Sequence, residues 1–197
     1  MKSPKSILLV NRKNLLWLNQ ELIPLIKKKY DVKFVIVAAA NQKKAFDNLL
    51  SKKDYFITAE NLKENAYNSI KKEKEIIKEA KYFEQKYKIN YLRDGLLQDR
   101  EYSYKLIDNF KPDASFLFLN NKASSDYLEI IKEMNYYFNF FEKIFFKNKI
   151  DLLISRPDSL RGFALTSISY KNNIPTTFQT TTRENGYYMW TDGPYQS

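Results

Sequence analysis

Two kinds of hydrophobic pattern alternate along this chain. Short, almost wholly apolar runs stop abruptly at polar residues: Lys5 to Val10 reads KSILLV, Val32 to Ala38 reads VKFVIVA, and Asp151 to Ser155 reads DLLIS. Such runs predict strands buried on both faces. Tyr55 to Thr58 and Ile174 to Gln179 predict two further strands. Between the runs the apolar residues take helical spacing. Asn14 to Lys29 carries Leu15, Leu18, Leu22, Leu25 and Ile26, with Pro24 predicting a kink or a shortened helix. Asn41 to Lys52 turns Ala45, Phe46, Leu49 and Leu50 inward, and Leu160 to Lys171 predicts another helix.

Strand, helix, strand, helix, strand at this spacing is the opening half of a doubly wound sheet. Parallel strands need helical crossovers, and these are right-handed. The expected fold is α/β: a Rossmann-like, doubly wound parallel sheet of about five strands in the order 3-2-1-4-5. Residues 59–149 form a helical insertion between strands three and four. Within it, Asn61 to Lys88 predicts one long charged helix with a narrow stripe of Leu62, Ala66, Ile70, Ile77, Ala80, Phe83 and Tyr87. Ile89 to Asn121 predicts short helices. Ser124 to Lys147 predicts a second long helix, with Leu128, Ile131, Met134, Phe138, Phe141 and Phe145 on one side. Tyr136, Tyr137, Phe140 and Phe146 give it a second aromatic face, and Ser124, Ser125 and Asp126 are its cap candidates.

Composition narrows the chemistry. The 197 residues make about one domain, and 44% hydrophobic with 16% aromatic content is not that of a disordered chain. Cysteine is absent, which excludes a disulfide framework, a redox CxxC and a thiolate site. Histidine is absent too, which excludes a Ser-His-Asp triad and an imidazole base. Acid–base chemistry is left to Asp, Glu, Lys or Tyr. The net charge of +10 points to an anionic partner, or to a codon bias that enriches lysine. The clusters Lys27-Lys28-Lys29, Lys43-Lys44, Lys52-Lys53 and Lys71-Lys72 are dispersed and read as solvated surface. No charge-free apolar run approaches a membrane span, and the N-terminus has no signal-peptide core. The expected location is cytoplasmic.

Arginine is scarce, so its placement is informative. Of six arginines, Arg12, Arg156 and Arg183 fall just past the carboxyl ends of strands one, four and five. In open α/β sheets the ligand crevice lies there, where the strand order reverses. A guanidinium offers a fixed fork of donors suited to phosphate, carboxylate and sugar oxygens. Arg156-Pro157-Asp158-Ser159 leads into a helix N-terminus, and Asp158 or Ser159 is equally placed to cap that helix. Thr182, Arg183 and Asn185 follow strand five and suit a polyhydroxylated ligand. Asp99-Arg100 lies in the insertion. Asp99 and Asp158 are the available general bases for a sugar hydroxyl. Four glycines, at 95, 162, 186 and 193, cannot write GxGxxG or a phosphate loop.

The segment Asp151 to Ser155, the stretch Lys171-Asn172-Asn173 into Ile174-Pro175, and Thr182-Arg183-Glu184-Asn185 resemble the amino-terminal half of bacterial surface-polysaccharide (capsule or O-antigen) biosynthesis proteins of the GT-B glycosyltransferase type. Leu97-Gln98-Asp99-Arg100 fits the same pattern. The resemblance covers roughly residues 90–110 and 150–197 plus the general βα layout. It implies an acceptor-binding domain, with the nucleotide-sugar donor bound mainly by a carboxy-terminal domain absent from this chain. It implies residues 1–197 as one Rossmann-like domain of a longer protein, inactive in isolation and without a cofactor or metal. Arg12, Arg100, Arg156, Ser159, Thr182, Arg183 and Asn185 would bind a glycan or lipid-linked glycan acceptor. Separately, the basic balance of the chain also fits loose peripheral contact with an anionic membrane. Two other classes stay open: a self-contained flavodoxin-like module for a small ligand or nucleotide, and, ranked last, a nucleic-acid binder.

Overall fold

The computed structural model describes residues 4–59, 62–68, 71–95, 127–156, 159–181 and 188–191. Two compact units are present and are taken in turn. The first comprises the described residues of 1–62, 142–156 and 169–197. It holds a sheet in the order β3-β2-β1-β4-β5-β6. Strands β1 (Ser6–Val10), β2 (Lys33–Ala38), β3 (Tyr55–Thr58), β4 (Leu152–Ser155) and β5 (Thr176–Thr181) are parallel to their neighbours. This is the expected Rossmann-like order. The edge strand β6 (Tyr188–Thr191) is added antiparallel to β5.

All of β1 and most of β2 are buried, as their unbroken apolar runs require. Ile7, Leu9, Phe34, Ile36, Ala38 and Ile154 form a core on one face with Ile23 of α1 (Leu16–Lys29) and Phe46 of α2 (Lys43–Asp47). Alternation sends Leu8, Val35, Val37 and Leu153 to the other face, where they are also buried.

Helix α1 follows a 3-10 turn (Lys13–Leu15) and runs through Pro24, which is exposed, without stopping. Its inner face differs from the expected one. Leu25 faces solvent, and the buried positions are Leu15, Asn19 and Ile23. A polar residue therefore occupies the middle of the inward stripe.

One carboxylate ties together the start of the sheet. The Asp54 side chain is fully buried and paired with Lys27 of α1. Its Oδ1 accepts the Phe34 N–H at 2.7 Å, and its Oδ2 accepts the Ser51 N–H at 2.6 Å and the Ser51 hydroxyl at 2.7 Å. Lys27 Nζ also donates to the Leu49 carbonyl at 2.7 Å. Lys27 is thus a structural cation within a cluster that reads as solvated surface. Asp151 plays a similar part at the start of β4, accepting the Lys5 and Ser6 N–H groups at 2.9 and 3.0 Å.

The second unit comprises the described residues of 63–141 and 157–168. The single helix expected from Asn61 to Lys88 is two: α3 (Leu62–Asn68) and α4 (Glu73–Tyr87). Lys72 is extended (φ −71°, ψ 148°), and the Glu75 carboxylate accepts its N–H at 3.1 Å, so a fresh helix starts there. The stripe of α4 is Ile76, Ala80, Phe83 and Tyr87, with Ile76 in place of the expected Ile77. Helix α5 (Tyr127–Asn148) packs against it. Phe138 stacks on Phe83, Tyr87 and Tyr91 at 5.1, 5.0 and 5.4 Å between ring centroids, and meets Phe163 edge-on at 6.0 Å. Phe163 lies on α6 (Leu160–Lys171). The aromatic stripe is core, as its spacing indicates. Tyr91–Gly95 is a π-helical turn, and a Cβ on Gly95 would stand 2.3 Å from Met134 Cε. The rest of the stretch expected to form short helices, residues 96–121, lies outside the described residues, as do the cap candidates Ser124, Ser125 and Asp126.

Burial opposes ionisation of Asp54, but Lys27 and the donors from Phe34 and Ser51 outweigh it and hold the carboxyl below its ordinary value. A depressed folded pKa stabilises above the unfolded value and loses that contribution as pH falls through the folded one. Urea-unfolding stability should therefore drop below about pH 4. Asp54→Asn should cost about 2 kcal/mol at neutral pH and flatten that acid slope.

Candidate functional site

The carboxyl edge of the sheet in the first unit is where the order reverses, between β1 and β4. Register puts Leu9 beside Ile154 and Ile154 beside Thr177. Two residues further on, Asn11 and Gln179 lie on the side of the sheet that faces α1, where both connect to Asn19, and Arg156 follows β4 at the same edge. Asn11 extends the ladder, its N–H donating to the Val37 carbonyl at 2.8 Å.

A chain of four buried carboxamides crosses this edge. Gln179 Nε2 donates to Asn19 Oδ1 at 2.6 Å. Asn19 Nδ2 donates to Asn11 Oδ1 at 2.5 Å, and Asn11 Nδ2 donates to Gln42 Oε1 at 3.0 Å. The chain joins β5, α1, β1 and the 3-10 turn Ala40–Gln42 after β2. Each link runs in the same sense, so reversing one amide would oppose two donors or two acceptors unless its neighbours reversed as well. Gln179 is 1% exposed and its Oε1 has no hydrogen-bond partner among the described residues. Carboxamides both donate and accept, which matches the hydroxyls of a neutral polyol.

Two of the three rim arginines are described. Arg12 is half-buried and extended (φ −115°, ψ 152°), with its carbonyl accepting the Leu15 N–H at 2.9 Å. Arg156 is half-buried and follows β4 directly. Because β1 and β4 are adjacent, these two residues leave neighbouring parallel strands at the switch point. Ser159 belongs to the second unit and caps α6: its hydroxyl accepts the Gly162 N–H at 3.1 Å, and its carbonyl accepts the Phe163 N–H at 2.8 Å. Asp99, Arg100, Asp158, Thr182, Arg183 and Asn185 lie outside the described residues. Among the described residues no group of three potential metal ligands gathers. No helix there is long and apolar enough to cross a membrane.

Asn11, Asn19, Gln42 and Gln179 are not among the residues that charge and strand-end position single out. One signal for them exists in the sequence: Asn19 interrupts the helical stripe of Leu15, Leu22 and Ile26, where an inward asparagine needs a polar partner. No protein-family model, curated protein or solved structure matches this chain.

Asn19→Ala strands both Asn11 Oδ1 and Gln179 Nε2 in the interior. At about 1–3 kcal/mol per orphaned group it should lower unfolding stability by about 2–6 kcal/mol, and its effect should be non-additive with Asn11→Ala in a double-mutant cycle. Ser159→Ala should cost only about 1 kcal/mol, read from the same urea titration.

Proposed function

We propose that this chain is the acceptor-binding domain of a GT-B-type glycosyltransferase acting in bacterial surface-polysaccharide biosynthesis. The observation that supports the reading is that Arg12 and Arg156 follow adjacent parallel strands at the switch point, at the edge where the buried carboxamides lie. Guanidinium groups suit a glycan that carries acidic groups, and the buried amides behind them satisfy one another. The rim has no glycine-rich phosphate loop: β1 runs straight into Asn11-Arg12-Lys13-Asn14. That favours a sugar acceptor over a tightly held nucleotide. The resemblance of the segments at 97–100, 151–155 and 182–185 to surface-polysaccharide enzymes supplies the class. In this reading Asp99 or Asp158 removes the proton of the acceptor hydroxyl, since no histidine exists to do so.

The test is ligand-observed NMR on the chain with a neutral trisaccharide and a uronate-containing trisaccharide. The acidic sugar should bind more tightly, and Arg12→Ala or Arg156→Ala should each weaken it about tenfold or more with the far-UV circular dichroism of the folded chain retained. Tight binding of free flavin mononucleotide or nucleotide, with no sugar bound, would assign the crevice to the flavodoxin-like alternative.

A further inference from the structure

The opposite, amino edge of the first unit is built from different residues. In a parallel sheet with helical crossovers, strand starts and helix ends gather on the same edge. Lysines stand at or just before the starts of β1 (Lys5), β2 (Lys33), β3 (Lys53) and β4 (Lys149). Others close α1 (Lys29), α5 (Lys147) and α6 (Lys171). All except half-buried Lys33 are exposed. Contacts bind these segments into one surface: the Lys33 N–H donates to the Lys5 carbonyl at 2.9 Å, Asp151 accepts from Lys5 and Ser6, and Lys33 Nζ donates to Asn148 Oδ1 at 3.0 Å. Asp31, Asp47 and Asp151 are the exposed carboxylates of these strand starts and helix ends, and Asp31 is paired with Lys53.

An open groove of about 740 Å³ lies within this face, lined by Lys5, Lys29, Lys33 and Lys53 together with Tyr30 and Asp31. Aromatic rings flank the lysines. Tyr170, next to Lys171, is 87% exposed, and Phe146, next to Lys147, is 55% exposed. Tyr55 is also exposed, with Lys33 Nζ 4.8 Å above its ring.

We infer that this amino edge is a docking face for an anionic phospholipid bilayer, with Phe146 and Tyr170 at the headgroup level and a lipid phosphate in the lysine groove. Lysine and aromatic side chains at one face are the combination that interfacial binding uses, each basic residue adding attraction to anionic lipid. Helix macrodipoles explain a lysine at the last turn of α1 or α5, but not those at the strand starts. Nucleic acid is the weaker fit: among the described residues this edge holds no arginine, the residue that makes bidentate phosphate and base contacts, and Phe146 carries no polar group. The inference stands apart from the sugar reading of the other edge. The two edges are separated by the five residues of β1, about 16 Å, so a docked chain holds its crevice away from the bilayer.

Sedimentation of the whole chain with vesicles tests this. Vesicles of phosphatidylcholine with about a third phosphatidylglycerol should bind at least tenfold more tightly than phosphatidylcholine alone, and the difference should fade at high salt. Lys149→Glu with Lys171→Glu should cut binding at least tenfold, and Phe146→Ser with Tyr170→Ser severalfold. Lys78→Glu with Lys81→Glu, on the exposed side of α4, should leave it unchanged. Lys149→Gln with Lys171→Gln gives the same direction without added repulsion. Equal binding to both vesicles, or undiminished binding by charge variants with wild-type circular dichroism, overturns the proposal. Tighter, equally salt-sensitive binding to a DNA duplex than to phosphatidylglycerol vesicles also overturns it and assigns the edge to nucleic acid.

Discussion

Burial on both faces of the central strands is the constraint from which the rest of the first unit follows. Every residue of β1 is buried, and β2 beside it is buried from Phe34 to Ala38. A sheet so covered leaves no face for chemistry. Within β1 and β2 the polar side chains, Ser6 and Lys33, stand at the strand starts. Function, on this architecture, is a property of edges.

The two edges solve the problem of polar burial differently. At the amino edge the buried charge is Asp54, stabilised by a cation and three donors, so that desolvation is offset locally. At the carboxyl edge the four-membered carboxamide chain itself contains no charged group. Asn11, Asn19, Gln42 and Gln179 satisfy one another in series, and a series of amides has a direction. A donor arriving at Gln179 Oε1 would fill the one acceptor left open, and its influence would extend through the chain to Gln42 after β2. Outside the amide chain, the carboxyl edge carries Arg12 and Arg156 together with Lys13, Lys43 and Lys44, whereas the amino edge has lysine and, among the described residues, no arginine.

The second unit is organised by ring stacking. Phe138 meets four aromatic partners, drawn from α4, the π-helical turn and α6. Two polar ties hold α4 and α5 in register: Asn135 Nδ2 donates to the Ile76 carbonyl at 2.9 Å and Asn139 Nδ2 to Glu79 Oε1 at 2.7 Å. These bonds explain why Ile76 turns inward and Ile77 does not, a rotation that leaves both apolar patterns almost equally good on paper.

The sequence by itself determined the order of elements and the parallel sheet, because unbroken apolar runs such as SILLV and KFVIVA admit only strands covered on both sides. It determined that acid–base chemistry by this chain's own side chains uses neither imidazole nor thiol. It also marked Arg12 and Arg156 as strand-end residues. Tertiary structure decided what local periodicity cannot. Which side of α1 faces in depended on Asn19 meeting Asn11 and Gln179, partners 8 and 160 residues away. The break at Lys72 depended on a carboxylate reaching back to a backbone N–H. The amino-edge lysines are far apart in sequence; the crossovers return the start of each of the five parallel strands to one side, and only that closure makes them neighbours.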